Sequence, residues 1–519
     1  MMNRRILAAS LAFSCAAVSA LGAANPYESG PAAKQNQIDE LVFARQDQLK
    51  VTRSDLCSDA VFVRRAYFDI IGTLPTGFEA QEFILDRKSG KRAALIKRLL
   101  ERDEFADYWS MKWCDLLRVK AEFPINLWPN AVQSYHRWIR DGIRDNKPYD
   151  QFARELLTSS GSNFRVPPVN FYRAMQNHEP SGMAQAVALT LMGERAEKWP
   201  EGKLSGMAAF FGWVGFKSTS EWKEEIVFFD PARATNAPLT ATFPDGTSLT
   251  LKGDRDPREI FSEWLVRPEN RWFTRNIANR VWSWLMGRGI IHEPDDIRPD
   301  NKPSNAALLS HLEQELIASK YDLKHLYSLI LNSATYQLSA VPKDQTAEAE
   351  ANFAYYPLRR LEAEVIIDAL NQITGGTERY SSAIPEPFTF IPEDQRSIAL
   401  SDGSISSPFL EMFGRPARDS GLESERNNRP TPAQRLHFLN SSQVQRKIEQ
   451  SRMIQFQTQG GRTRQQAATG IYLGILSRFP TAQELKTIES FSPGSVMKRE
   501  AAVDLAWALL NSSEFLYRH

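Results

Sequence analysis

The chain has 519 residues, with 63 Lys and Arg against 62 Asp and Glu, a formal net charge of +1 and 42% hydrophobic residues. So even a balance argues against a general nucleic-acid or membrane-surface binder, which needs a basic face to hold phosphate. The length predicts two or three domains with sizeable cores.

The first residues, MMNRRILAASLAFSCAAVSALGAA, read as a cleaved export signal. Arg4 and Arg5 give a basic start, an apolar run follows, and small residues occupy the spacing a signal peptidase needs near Ala20 to Ala24. Residues 1–23 are therefore assigned to a signal peptide, and the mature chain carries 61 basic against 62 acidic residues, a net charge of −1. Lipidation at Cys15 is disfavoured by Phe13, which sits where that signal needs a small residue. Beyond the leader no apolar run is long enough to span a bilayer. A soluble periplasmic or secreted protein is expected. Cys57 and Cys114 remain after cleavage; export permits a disulfide, and Cys114 in WSMKWCDLL reads as a buried free thiol.

Residues 35–224 are patterned as a first helical domain. Asp59 precedes VFVRRAYFDII, Thr76 with Glu79 forms a capping-box signature, and Tyr149-Asp150 precedes QFARELL. Residues 225–256 break the pattern: PLTATFPDGTSLTLKG alternates apolar and polar residues around Asp245-Gly246, a β-hairpin signal. Helical periodicity returns over 257–519, interrupted by a Pro-, Gly-, Ser- and Arg-rich stretch from about Ser381 to Arg435. The expected fold is mainly α, with two helical domains joined by a small β-hairpin-containing segment.

An internal echo runs through the helices. Tyr67–Thr76 and Tyr472–Thr481 match in spacing, each closing on Pro and a capping Thr. Leu99–Phe105 corresponds to Leu509–Phe515, with a looser copy at Ile330–Tyr336. The device is a helix that ends in a polar turn and returns an aromatic to the core.

The most strongly specified segment is RWFTRNIANRVWSWLMGRGIIHEPDDIRPDNKPSN, residues 271–305. Drawn as a helix, Phe273, Ile277, Val281, Trp284 and Leu285 share one face, and Asn276, Asn279, Arg280 and Ser283 form a polar stripe on another. Gly287 and Gly289 stop the helix and an acidic loop follows. A polar stripe can be buried only if paired, so Arg275, Asn279, Arg280, Asp295, Asp296 and Arg298 are the candidate polar centre. The aspartates are expected to pair with Arg275, Arg280 or Arg298 and to cap the next helix, in preference to binding a cation.

A second cluster, FGRPARDSGLESERNNRP, alternates Arg415, Arg418, Arg426 and Arg429 with acids. Arg415, Arg418 and Arg426 are candidate anion-binding residues, set against a salt-bridge network that ties the loop down. His-Glu-Pro occurs at His178 and His292, but adjacent ligands rarely share one ion, and no HExxH or CxxC is present, so no metal is expected. Absence of GxSxG, GxxxxGK[ST] and GxGxxG weakens serine hydrolase, NTPase and dehydrogenase readings.

The segments VRRAYFDIIGTLPT, YDQFARELL, LTLMG and MAAFFGWV, then ANRVWSWLMGRGIIHEPDDIRPDNKPSN, YDLKHLYSLILNSATYQLS, LRRLEAEVIIDAL, FGRPAR and WALLNSSEFLYRH, resemble a known pair of domains of unknown function. That pair is widespread in exported proteins of planctomycetes and related bacteria and is often joined to a cytochrome c module. Many relatives carry Cys-x-x-Cys-His where this chain reads Glu194–Trp199, and Cys-Glu-Cys-Glu-Arg where it reads Leu422–Arg426. Neither cysteine pair exists here, so no cofactor is expected from them. Related genes often lie beside a sulfatase-like family of exported proteins, which implies such a partner. The resulting expectation is a non-catalytic accessory or binding protein in a sulfatase-like or carbohydrate-handling system. The alternatives are a hydrolase acting on polysaccharide or sulfated sugar, and a degenerate relative of a cytochrome-linked redox component.

Overall fold

The computed structural model describes residues 25–235 and 239–519. The export signal expected at residues 1–23 lies outside the described residues. Among those described are twenty-four α-helices and nine strands of two to five residues, so the protein is mainly α as its periodicity predicts. No helix among them is long and apolar enough to cross a membrane.

Local signals start the helices largely where the sequence places them. Thr76 accepts from the Glu79 amide while the Glu79 carboxylate accepts from the Thr76 amide, closing the capping box on Gly77–Leu85. The Asp59–Ile71 helix is capped by Ser58, one residue before the expected Asp59. Leu239–Thr242 and Ser248–Leu251 pair antiparallel across the Asp245-Gly246 turn. That hairpin packs Phe243 on Phe210 and Trp264, with ring centroids 4.6 and 5.0 Å apart, so it ties the first helical region to the Pro257–Leu265 helix. A three-stranded antiparallel sheet places Glu225–Phe229 between Gly161–Ser162 and Val214–Ser218.

One contiguous hydrophobic cluster runs from Ile38 to Phe515 and includes side chains of both halves. Its centre is the Arg271–Met286 helix, twelve of whose sixteen residues are buried. The sequence suggested one apolar face and one polar stripe; the helix is in fact surrounded, as expected of an element inside a large core. Trp284 meets Trp109 and Trp113 of the Asp103–Leu116 helix at 5.3 and 6.0 Å, and Phe273 stacks on Tyr149 at 4.6 Å. Aromatic pairs of this kind contribute about 0.5–1.5 kcal/mol each beyond their area.

The two echoing units face each other. The backbones of Gly77 and Gly474 approach so closely that a Cβ on Gly77 would lie 3.4 Å from the Gly474 amide nitrogen. Arg64 donates to the carbonyls of Ile475 at 2.7 Å and Phe515 at 3.0 Å. In the first unit Arg102 joins the capping Glu79 to Glu104; in the second Arg478 joins the capping Glu484 to Glu514. The two arginines occupy different places in the repeat, yet bridge equivalent carboxylates. Ser512 and Ser333 cap Phe515 and Tyr336 in the same manner, so the looser third copy shares the turn.

Candidate functional site

Three helices bring buried charge together between the two halves. On Asp103–Leu116, Tyr108, Lys112 and Asp115 fall at i, i+4 and i+7 and share one face. Arg280 lies near the middle of Arg271–Met286, and Glu362 and Glu364 stand at the start of Ala363–Thr374. The loop around Arg415–Arg426 closes over them.

These side chains form three linked chains of alternating charge. In the first, Arg280 Nη2 binds Asp295 at 2.7 Å and its Nη1 lies 3.4 Å from Glu423. Trp284 Nε1 donates to Glu423 at 2.9 Å, and the Glu423 amide donates to the second Asp295 oxygen at 2.6 Å. In the second, Arg418 and Arg426 hold Asp115 at 2.9 and 2.7 Å, Arg426 reaches on to Glu364 at 2.7 Å, and Arg415 lies 3.5 Å from Glu364. In the third, Glu362 lies between Lys112 at 2.6 Å and Arg518 at 2.5 Å, and Arg518 continues to Asp69 at 3.1 Å. Tyr336 and Tyr356 donate to Asp69 at 3.0 and 2.8 Å. Pairing of Arg359–Arg360 with Tyr517–Arg518 in a two-stranded sheet carries Arg518 into this position.

Electrostatics follow the geometry. Burial opposes the charge on Glu362, yet Arg518 and Lys112 outweigh it and hold the carboxyl well below its usual range. Glu423 is raised, because burial exceeds what Arg280 and Lys112 return. Burial and the neighbouring Arg418 bring Arg415 down to about 10, and burial pushes the Cys114 thiol up to about 12. Cys57 and Cys114 are both free and buried.

The candidate polar centre divides in two. Arg280 and Asp295 meet in the core, and Asn279 there both accepts from and donates to the Ile291 backbone, at 2.8 and 2.9 Å. Gly289 lets that loop approach, since a Cβ on it would collide with the Ile291 carbonyl. Arg275, by contrast, pairs with Glu313 at 2.9 Å, and Arg298 reaches Asp296 at 3.1 Å and Asp300 at 3.0 Å near the surface. The next helix, Ala306–Ala318, is capped by Asn305 and not by the aspartates, a correction to the expected cap. Asn305 lies one residue before the helix, where its side chain can reach the Leu308 amide; the aspartates lie well upstream. Arg415, Arg418 and Arg426 are each buried and engaged by protein carboxylates.

Where the resemblance places Cys-x-x-Cys-His in relatives, Glu194 accepts from the indoles of Trp199 at 2.7 Å and Trp272 at 2.5 Å, and Lys203 lies over the Trp199 ring at 3.9 Å. His178 stacks on Phe216 at 4.4 Å, and His292 lies 3.6 Å from Glu293. No group of three or more His, Cys, Asp or Glu suited to a metal occurs among the described residues.

Sequence reasoning missed Asp69, Tyr108, Lys112, Asp115, Glu362, Glu364 and Arg518. The helical spacing of Tyr108, Lys112 and Asp115 within an otherwise aromatic helix was a usable signal. It also missed Arg118, a buried guanidinium whose Nε donates to the Ser420 carbonyl at 3.1 Å and whose Nη1 has no hydrogen-bond partner among the described residues. Gly421, at φ 72°, permits its close approach.

Neither the curated proteins nor the solved structures gave a match. Two family matches cover most of the chain. Residues 37–198 match PSCyt2, described as a protein of unknown function (DUF1549), and residues 257–492 match PSD1, described as a protein of unknown function (DUF1553). Lys112–Glu362 and Asp115–Arg426 therefore each join one matched region to the other. The chain belongs to the proteins that carry these two domains of unknown function in this order.

Proposed function

We propose that this chain is an exported, non-catalytic accessory or binding protein whose buried charge network joins two domains into one frame. The family resemblance implies a sulfatase-like exported protein as its partner, and a carbohydrate is the other candidate. One observation carries this reading: the strongest candidate residues, Arg280, Asp295, Arg415, Arg418 and Arg426, are buried and matched to protein partners. A general acid or base must reach its substrate. Asp295 is 2% exposed and both of its oxygens are engaged, by Arg280 and by the Glu423 amide. The test is to incubate the purified mature protein with a panel of polysaccharides and sulfated sugars, alongside Asp295→Asn and Asp296→Asn variants. Turnover by the wild type that either variant abolishes would overturn the accessory reading.

A second reading, hydrolysis, has one observation in its favour. The Glu423 side chain is 25% exposed and burial raises its carboxyl above the usual carboxylate range, the direction a general acid needs. Loss of a measured hydrolysis in Glu423→Gln, with stability retained, would support it.

A further inference from the structure

A cleft of about 450 Å³ opens beside the Pro129–Arg144 helix, where the turn after the Gly161–Ser162 strand packs against it. Small-ligand sites run from about 300 to 1,000 Å³. Ser134, Arg137, Trp138 and Asp141 fall at i, i+3, i+4 and i+7 and line the cleft from one face of the helix. Asp145 and Lys147 line it just past the helix end, and Phe164 and Pro167 line it from the turn.

Some of these groups are already committed to the protein. Arg144 holds both Asp141 and Asp145, at 2.8 and 2.9 Å, and Lys147 pairs with Glu155 at 2.5 Å. Trp138 stacks on Phe152 at 4.6 Å, has the Lys147 ammonium 4.9 Å from its ring centroid and donates from Nε1 to Glu155 at 2.9 Å, so it props the wall. Others are free to meet a ligand. Among the described residues the Arg137 and Ser134 side chains have no hydrogen bond, Arg137 has no ion pair, and Phe164 stacks on no other ring. Two aspartates share one arginine, which leaves one negative charge beside the one positive charge of Arg137; Lys147 and Glu155 cancel, so the cleft has no net charge.

A cleft balanced in this way gives an ion no field to follow. No strand lines it, so a peptide finds no backbone edge to join. A neutral sugar satisfies both kinds of lining. Guanidinium only donates, carboxylate only accepts and a hydroxyl does both, so neighbouring sugar hydroxyls can bridge Arg137, Ser134 and Asp141. The C–H face of a sugar ring can lie against Phe164 and Pro167, which are half-buried and border the cleft. We infer that this cleft binds a neutral sugar unit of an oligosaccharide or polysaccharide. The inference rests on the accessory reading and names its ligand, a carbohydrate that is held and not cut.

The experiment measures binding of the full mature chain to hexasaccharides of cellulose, mannan, xylan and galactan, and to a sulfated galactan hexasaccharide, by calorimetry at low and high salt. Arg137→Ala, Phe164→Ala and Ser134→Ala accompany the wild type. Arg137 bonds to no protein group, so its variant keeps the test open even if Phe164→Ala fails to fold. The expected result is salt-indifferent binding of at least one neutral hexasaccharide, weakened about tenfold or more in Arg137→Ala and Phe164→Ala and less in Ser134→Ala. Binding of none of the neutral sugars, binding of the sulfated one alone, or equal binding by wild type and Arg137→Ala would each overturn the inference. Capture of an exported protein partner without any sugar binding would remove this cleft while leaving the accessory reading intact. Turnover of a bound hexasaccharide would remove the accessory reading while leaving the ligand class in place.

Discussion

Replacing Arg280 by Met keeps an unbranched apolar stem and removes the guanidinium, so it tests what that group does at the centre of the molecule. The wild-type group is 1% exposed and neutralises Asp295, itself 2% exposed, at 2.7 Å, with Glu423 at 3.4 Å. Without it the two carboxylates lose their bonded cation and keep only the unbonded charges of Arg118 and Lys112 nearby. Removing one partner of a buried pair costs about 3–5 kcal/mol, because the other charge stays desolvated. Unfolding entropy near 60 °C is roughly 2 cal/mol/K per residue, or about 1 kcal/mol/K for a cooperative unit of this length, so the melting temperature should fall by about 3–5 °C. The effect should shrink on acidification, since a protonated Glu423 no longer needs the cation. Urea unfolding of wild type, Arg280→Met, Asp295→Asn and the double variant forms a cycle, and the double variant is expected to recover a coupling of about 1–3 kcal/mol. A loss below about 1 kcal/mol in Arg280→Met, with additive single variants, would refute the claim that this pair supports the frame.

Asp368 is the clearest source of pH dependence. Burial raises its carboxyl from 3.8 to about 6, only partly offset by Arg396 at 3.7 Å and the amides of Ser397 and Ile398. Its folded value lies above the unfolded one, so its stabilising contribution is complete below about 3.8 and is lost as pH rises through about 6. The full swing is about 3 kcal/mol, and Asp368→Asn should abolish that part of the slope in urea titrations between those values; parallel curves for the two proteins would count against it. Gly287→Ala should destabilise by more than the 1–2 kcal/mol typical of a left-handed non-glycine residue, because the new Cβ meets the Arg359 side chain that caps the Trp284 and Leu285 carbonyls; a cost below about 1 kcal/mol by urea unfolding would contradict this. Cys114, pushed up to about 12 and fully buried, should resist a thiol reagent at mildly alkaline pH until the protein is denatured, and labelling of the native protein at this position would contradict its placement.

Elements with local causes were legible in the sequence. The capping box at Thr76, the turn at Asp245-Gly246 and the glycine stop at Gly287 each depend on residues within a few positions. The echo was legible as spacing, though its consequence was not: nothing in either copy says that the two will pack on each other through Gly77 and Gly474. The polar centre was half legible. Arg280 and Asp295 belong to one segment and could be paired on paper, whereas Arg275 found Glu313 across a neighbouring helix. The partners of Arg415, Arg418 and Arg426 lie on two different helices, Asp115 being about 300 residues away. A guanidinium cluster reads as anion-seeking until the carboxylates that fold onto it are known.

The docking of Arg518 beside Asp69 and Glu362 sets an order of assembly. Synthesis delivers a chain from its N-terminus, and Asp69 must wait for a residue about 450 positions later before that cation arrives. Before Arg518 arrives, Lys112 can face Glu362 and Arg359 can face Asp69, but the strand that seats Arg518 comes late, so the two halves should complete their closure only after it is delivered. Contacts of such long range make folding slow and leave the open intermediate exposed to proteases and chaperones, which gives quality control a long interval in which to act on this protein.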